Sequence, residues 1–334
     1  MLKRILVALA VLAVALLVVG MLLPRSVRVE RSVVIERPAS LVFATVNSFQ
    51  RFGEWSPWAE YDPALKQVVE GPREGVGARL SWSGNERVGR GTQVISAAVQ
   101  DRSVTTDLEF GDMGPAQARF ELEPLPHGTR VTWTLDADMG AGPVGRWFGL
   151  AMDRMVGPDF ARGLARLKAV VEKLPDTDIA GLEARIVDVA AAPIVYVTRS
   201  SGSDTASITR AYGEAYAELG RFVARNRLQV RGAPLGVDRE MKPGQYTFDA
   251  ALPVDRVDVA AAGDVHLGHS YGGRAVRVVH TGPYDGLELT YARLAAWVQA
   301  HRFEGNGPSF GIYVDDPAKT PAGQLRTELY WPIR

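Results

Sequence analysis

Cysteine is missing altogether from the 334 residues. Its absence excludes disulfides, thiol catalysis and Cys-type zinc sites, and leaves the redox compartment open. Net charge is missing too, with 38 Lys+Arg set against 38 Asp+Glu. A general nucleic-acid binder needs a basic surface to neutralise phosphates, so nucleic acid is not an expected partner. The chain shows no Ser-His-Asp order, no paired acids at a readable spacing and no metal triad. His266 and His269 lie close together but have no third ligand near in sequence, so no metal and no cofactor are expected. The glycines of GPSFG (307–311) and SYGG (270–273) lack the strand–GxGxxG–helix setting of a phosphate loop.

What the chain does have begins at its N-terminus. Ile5 to Leu23 is a charge-free run, close to the roughly 20 residues that a spanning helix needs. It ends in Met-Leu-Leu-Pro-Arg, with no small-x-small cleavage site, so a retained transmembrane anchor over residues 1–25 is expected rather than a cleaved signal. Lys3 and Arg4 precede the run, and Arg25, Arg28 and Arg31 follow it, so flanking charge barely sets its orientation. A short tail before a large body favours an extracytoplasmic globular part.

Alternation predicts a strand over 27–35, and Pro38 suits the first turn of a helix over 38–47. An aromatic-rich turn and loop, FQRFGEWSPWAEYDP, occupies 49–63. Strands follow at 78–84, 89–99, 103–110, 117–125 and 129–138, separated by Gly, Pro, Asp or His-Gly turns. A long helix is then predicted over 143–173, with an apolar face and Gly157-Pro158 inside it. The fold class is therefore α+β, with a long helix laid in a curved antiparallel sheet. The segments SVVIERPASLVFATVNSFQRFGEWSPW, GVGARLSWSG, GRGTQVI, HGTRVTWTL and MDRMVGPDFARGLARLKAVVE, in that order, resemble the START-like or SRPBCC superfamily, which includes polyketide cyclase-like and lipid-binding members. The resembling domain is placed at 26–174. It implies a cavity between sheet and helix. Trp82 and Trp133, with Phe110 and Phe120, are its expected walls, and Trp55 and Trp58 are placed in the entrance loop.

Residues 175–183 read as a linker. The segment 184–334 contains an internal duplication. IVYVTRSSGSDTASITRAYGEAYAELGRFVARNRLQVRGAPLGV with QYTFDAALPV parallels AVRVVHTGPYDGLELTYARLAAWVQAHRFEGNGPSFGIYVDDP with QLRTELYWPI. Each half reads strand, helix, strand, strand, and aligning Pro253 on Pro332 places Asp249 on Glu328. Two such units join their sheets about a pseudo-twofold axis. The pieces HTGPYDGL, YARLAAWVQAH, GPSFGIYVDDP and LRTELYWPI resemble the GyrI-like small-molecule-binding family, the effector-binding domain of AraC-type regulators. The resemblance implies two pseudo-repeated βαββ units and a ligand groove that recognises its ligand through an acid on the last strand.

Period-two alternation puts Leu325, Thr327, Leu329 and Trp331 on one side of that strand, and Arg326, Glu328 and Tyr330 on the other. The apolar side is expected to meet the helices, so Glu328 and Tyr330 are expected in the groove, with Tyr284 and Tyr313 as further wall. An acid beside aromatic rings suits a cationic apolar ligand, since cation–π contact contributes roughly 0.5–2 kcal/mol. The competing reading pairs Glu328 with Arg326. Asp249, in a half with fewer aromatics, reads as an eroded mate. Trp297 reads as core, and His280 as a hydrogen-bonded turn residue. The expected function is a membrane-anchored protein with tandem pockets for a small hydrophobic or cationic ligand, used for sensing, sequestration or transfer. The alternative, drawn from GyrI-like relatives, is hydrolysis of strained electrophiles with Glu328 as base and Tyr284 as acid.

Overall fold

The structure, a computed structural model, describes residues 2–111 and 114–334. It divides into two compact units, residues 1–180 and 181–334.

The first unit opens with α1 (Leu2–Leu22). This helix is apolar and exposed along most of its length, with Gly20 near its end buried against α4, and it is long and apolar enough to cross a membrane. The chain continues through β1 (Ser26–Ile35), α2 (Ala39–Val46), α3 (Phe52–Trp55), β2 (Lys66–Glu70), β3 (Arg79–Ser83), β4 (Arg90–Val99), β5 (Ser103–Glu109), β6 (Pro115–Leu125), β7 (Gly128–Asp138) and α4 (Pro143–Val171). All seven strands form one antiparallel sheet in the order β1-β7-β6-β5-β4-β3-β2, so the first strand pairs with the last. In β6 and β7 alternate residues are buried, which is the signature of a sheet with one covered face. Helix α4 lies along β1 and buries Phe160, Leu164, Leu167 and Val171. Two close approaches depend on glycine. A Cβ on Gly157 would strike the Arg31 guanidinium, and one on Gly163 would reach the Trp133 ring at 2.8 Å. Arg31 uses that space to pair with Asp153 at 2.8 Å.

The second unit runs β8 (Arg185–Val189), β9 (Pro193–Ser201), α5 (Thr205–Arg225), β10 (Leu235–Lys242), β11 (Gln245–Pro253), β12 (His266–His269), β13 (Gly273–Thr281), α6 (Leu287–Ala300), β14 (Phe310–Tyr313) and β15 (Arg326–Pro332). Its eight strands form one sheet in the order β12-β9-β11-β10-β14-β15-β13-β8. The order reads the same from both ends once the halves are exchanged, with β10 and β14 meeting at the axis. Gly236 faces Gly311 there. The repeat visible in the sequence is thus a spatial one.

Strands β8 and β12 are not foreshadowed by the sequence pattern. Each is exchanged: β8 precedes the first half but pairs with β13 of the second, and β12 precedes the second half but pairs with β9 of the first. Their following turns meet, with Ser270 N–H donating to the Ala192 carbonyl and Ala192 N–H donating to the Ser270 hydroxyl, both at 2.9 Å.

Helix α5 starts at an Asp204 cap whose carboxylate accepts from Ser207 N–H. It buries Ala215, Leu219, Phe222 and Val223 against Val197, Phe248 and Ala250. Helix α6 buries Leu294 and Val298 against Val276, Val278 and Leu329. Each helix therefore covers the outer strands of its own half.

Candidate functional site

With the helices over β9/β11 and β13/β15, the central strands β10 and β14 lie between them. Strand alternation turns Gly236 and Asp238 of β10, and Gly311 and Tyr313 of β14, to the helix side. The glycines admit helix side chains close to the backbone. A Cβ on Gly236 would collide with the Tyr212 hydroxyl, and one on Gly311 would stand 3.1 Å from the Tyr291 hydroxyl. Above these strands sit six tyrosines. Tyr212 stacks on Phe248 at 3.9 Å and on Tyr216 at 5.8 Å, and meets Tyr313 edge-on at 5.7 Å. Tyr284 meets Tyr313 edge-on at 5.6 Å. Tyr246 and Tyr291 complete the group. All but Tyr246 keep part of their surface exposed, so the rings line a cleft between the helices, whose inner wall at Tyr246, Tyr212 and Tyr216 is continuous with the core under α5. Burial raises the hydroxyl pKa of Tyr212, Tyr216, Tyr246, Tyr284, Tyr291 and Tyr313 above the ordinary tyrosine value.

On the floor of this cleft is one carboxylate, Asp238. It accepts from Tyr246 Oη at 2.5 Å and from Ser309 Oγ at 2.7 Å, and the nearby Tyr291 hydroxyl also favours its charged form. Burial pushes its pKa up, against the pull of those three hydroxyls. Among the described residues, no Lys, Arg or His pairs with Asp238. A withdrawn carboxylate held only by neutral donors, under a canopy of rings, has the charge and shape to receive a cation.

Glu328 and Tyr330 do lie on the opposite side of β15 from Leu329 and Trp331, as alternation requires. That side, however, faces away from the cleft. Its middle is an apolar layer in which Ile194, Leu235, Ala251, Ala275, Phe310 and Tyr330 are all buried. Tyr330 is 8% exposed and stacks on Phe310 at 4.7 Å. Glu328 has one oxygen on the Arg277 guanidinium and the other accepting from Tyr330 Oη at 2.5 Å. Its partner is thus Arg277, across the sheet, while Arg326 pairs with Asp315 at 2.9 Å. Asp249 is held in the same way, by Arg239 at 2.5 Å and Thr198 at 2.8 Å. Tyr284 and Tyr313 stand in the cleft and Glu328 does not, so the Glu328–Tyr284 acid–base pair is not assembled.

Sequence reasoning passed over Asp238, Tyr212, Tyr216, Tyr246 and Tyr291. A signal existed: the repeat that aligns LGVD (235–238) with FGIY (310–313) makes Asp238 the counterpart of Tyr313, each two residues past its own axial glycine. Trp297 is core, packed on Val298's cluster and stacked on His301 at 3.9 Å. His280 contacts the Thr290 hydroxyl at 2.8 Å and the Pro283 carbonyl at 3.1 Å, which fixes the turn that carries Tyr284.

In the first unit the expected wall residues separate. Trp133 is 3% exposed and lies between Phe160 at 3.8 Å and Phe120 at 5.0 Å, with Trp55 edge-on at 5.7 Å. These rings fill the space between sheet and α4, so Trp133 is core rather than wall. Trp82 lines a small open pocket of about 50 Å³ with Phe52, Trp58, Leu80, Leu108 and Phe110. Gln67 and Gln93 are its side-chain amides. Among the described residues, no group of His, Asp and Glu is placed to hold a metal ion.

Residues 26–172 match the family "Polyketide cyclase / dehydrase and lipid transport". Residues 182–334 match the "GyrI-like small molecule binding domain". The chain is a fusion of these two domains. The curved sheet with its long helix is the START-like, cyclase-type domain, and the duplicated sheet is the GyrI-like domain. Solved structures similar to the chain include the C-terminal domain of EcmrR, 17% identical with a TM-score of 0.42 over 46% of this chain and 98% of that one. A hydrolase from Listeria innocua is 16% identical with a TM-score of 0.34, over 45% and 91% of the two chains. SAV2435 bound to tetraphenylphosphonium is 13% identical with a TM-score of 0.34, over 46% and 94%. No curated protein matches the chain. Both domains belong to small-molecule-binding families.

Proposed function

We propose that the protein is a membrane-anchored receptor whose GyrI-like domain binds a lipophilic organic cation between α5 and α6. The observation that carries this reading is Asp238, a carboxylate withdrawn from water, held by the Tyr246 and Ser309 hydroxyls and left without a protein cation. The ligand's charge meets Asp238, and its apolar body meets Tyr212, Tyr284, Tyr291 and Tyr313 through cation–π and edge contacts. The cyclase-type domain offers the pocket at Trp82 to an apolar ligand, and α1 holds both domains at a membrane with the globular part outside the cytoplasm. Balanced net charge favours sensing, sequestration or transfer over direct contact with nucleic acid.

Titration of a fluorescent lipophilic cation such as rhodamine 6G tests the reading. Asp238→Asn keeps the shape of the site and removes its charge. It is expected to lose at least about tenfold in affinity while retaining its melting transition, since contacts to a charged group contribute about 1.5–3 kcal/mol. Glu328→Gln is expected to bind as wild type does. Loss of binding in Glu328→Gln but not in Asp238→Asn would move the site to the other face of the sheet.

A further inference from the structure

Helix α4 changes character along its length. From Phe160 onward it buries an apolar face under the sheet. Its first three turns do the reverse. Val144, Trp147, Phe148 and Met155 are 76%, 37%, 45% and 54% exposed. With Ala151 they recur at i, i+3, i+4, i+7 and i+11, which is one side of a helix. The domain lies on the other side, where Gly145 and Gly149 press against Met139. Leu150, 58% exposed, adds to the uncovered apolar surface. A soluble surface seldom leaves such a stripe open, because each large apolar side chain left in water forgoes the free energy of its burial.

The stripe begins where α1 ends. Gly20 is the notch: a Cβ there would lie 2.7 Å from Pro143 and 2.8 Å from the Trp147 indole nitrogen. Trp147 Nε1 donates to the Leu16 carbonyl at 3.0 Å. Arg146 donates to the carbonyl of Met21, in the last turn of α1, and at 3.2 Å to that of Leu23 just past its end. At 1.5 Å per residue, Leu16 lies about 9 Å inside the end of the helix at Leu22. Side chains lean toward the N-terminus of their own helix, so Trp147 reaches down along α1 while α4 climbs away along β1. A tryptophan at that depth and an arginine at the helix end have the placement of interfacial anchors.

We infer that the first turns of α4 sit in the bilayer interface beside α1 and seat the cyclase-type domain on the lipid surface. The occupant of the stripe is the membrane itself, because the stripe is continuous with the helix proposed to span it. The seating would also set the Trp82 pocket near lipid. Strand register links Val27, next to the start of β1 where α1 hands over, through Ala137, Ala116 and Leu108 to Gln93, so the pocket lies on the rim from which α1 leaves.

This inference rests on reading α1 as a retained anchor, and one experiment separates the two. The chain has no cysteine, so single cysteines can be placed at will and spin-labelled in the full-length protein. The four are Leu12→Cys in α1, Val144→Cys and Phe148→Cys in the stripe, and Val99→Cys on the opposite rim, 53% exposed. After reconstitution in vesicles of equal parts phosphatidylcholine and phosphatidylglycerol, collision with oxygen is compared with collision with a nickel chelate. Labels at 12, 144 and 148 are expected to show an oxygen-to-nickel ratio several-fold above that at 99. A lipid-like label at 12 with labels at 144 and 148 matching 99 would overturn the seating and leave the anchor standing. A water-like label at 12 would overturn both.

Discussion

Three acids in the GyrI-like domain show how environment assigns different work to one functional group. Asp249 and Glu328 each hold an arginine, and Asp238 holds none. For Glu328, burial would push the pKa up, but the Arg277 guanidinium and the Tyr330 hydroxyl pull it below the ordinary value. A carboxyl depressed in the folded state stabilises that state above its unfolded pKa and loses the contribution as pH falls through the folded one. Arg277→Met should therefore lower stability at neutral pH by about 1–3 kcal/mol, because it leaves a half-buried carboxylate short of its charged donor. Denaturant melts of the single variants and of the double variant with Glu328→Gln check this, and the double variant should recover part of the loss. Asp238 runs the other way. Its carboxyl is raised by burial, so protons compete with a cationic ligand at higher pH than for an ordinary aspartate. Cation affinity should fall as pH drops through that raised value and level off above it, and binding isotherms across mildly acidic pH would show it. The sequence made Glu328 visible because it stands alone among aromatics. It could not show Arg277, distant along the chain and adjacent only through β13–β15 pairing. Nor could alternation tell that the cleft lies on the helix side of the sheet, between α5 and α6, rather than on the face that carries Glu328.

Between residue and domain, the informative elements are the axial strands and the long helix. Gly236→Ala places a methyl group against the Tyr212 hydroxyl and should force α5 or the ring aside. Overpacking of this kind costs about 1–3 kcal/mol, and the same variant should weaken cation binding because Tyr212 roofs the cleft. Gly311→Ala has 3.1 Å to the Tyr291 hydroxyl and should be milder in both respects. In the cyclase-type domain the two tryptophans should separate by assay. Trp133→Ala opens a hole between Phe120 and Phe160 and should destabilise by about 3–5 kcal/mol in thermal melts. Trp82→Ala, at the wall of an open pocket, should melt much closer to wild type. Most of these elements were legible. The long helix and most of the antiparallel strands announce themselves by periodicity and turn residues, and the β9–α5–β10–β11 and β13–α6–β14–β15 order follows from the repeat. Strands β8 and β12 were not legible, being short, weakly patterned and paired with the half to which they do not belong. Trp133 was misjudged because strand alternation says only that it points inward, and the Phe160 ring that closes over it comes from α4.

For the molecule as a whole, duplication and exchange bear on how the GyrI-like domain can come apart. Because β8 crosses to the second half and β12 to the first, with β10 against β14 between them, three separate strand pairings clasp the two halves. A protease nick near the exposed Asp258, in the connection between β11 and β12, would cut the backbone without freeing either fragment. The severed pieces would stay interlocked and co-migrate under native conditions. Either piece made alone would have stranded ladder groups at the axis and at a missing rim, with nothing to zip against until its counterpart arrived.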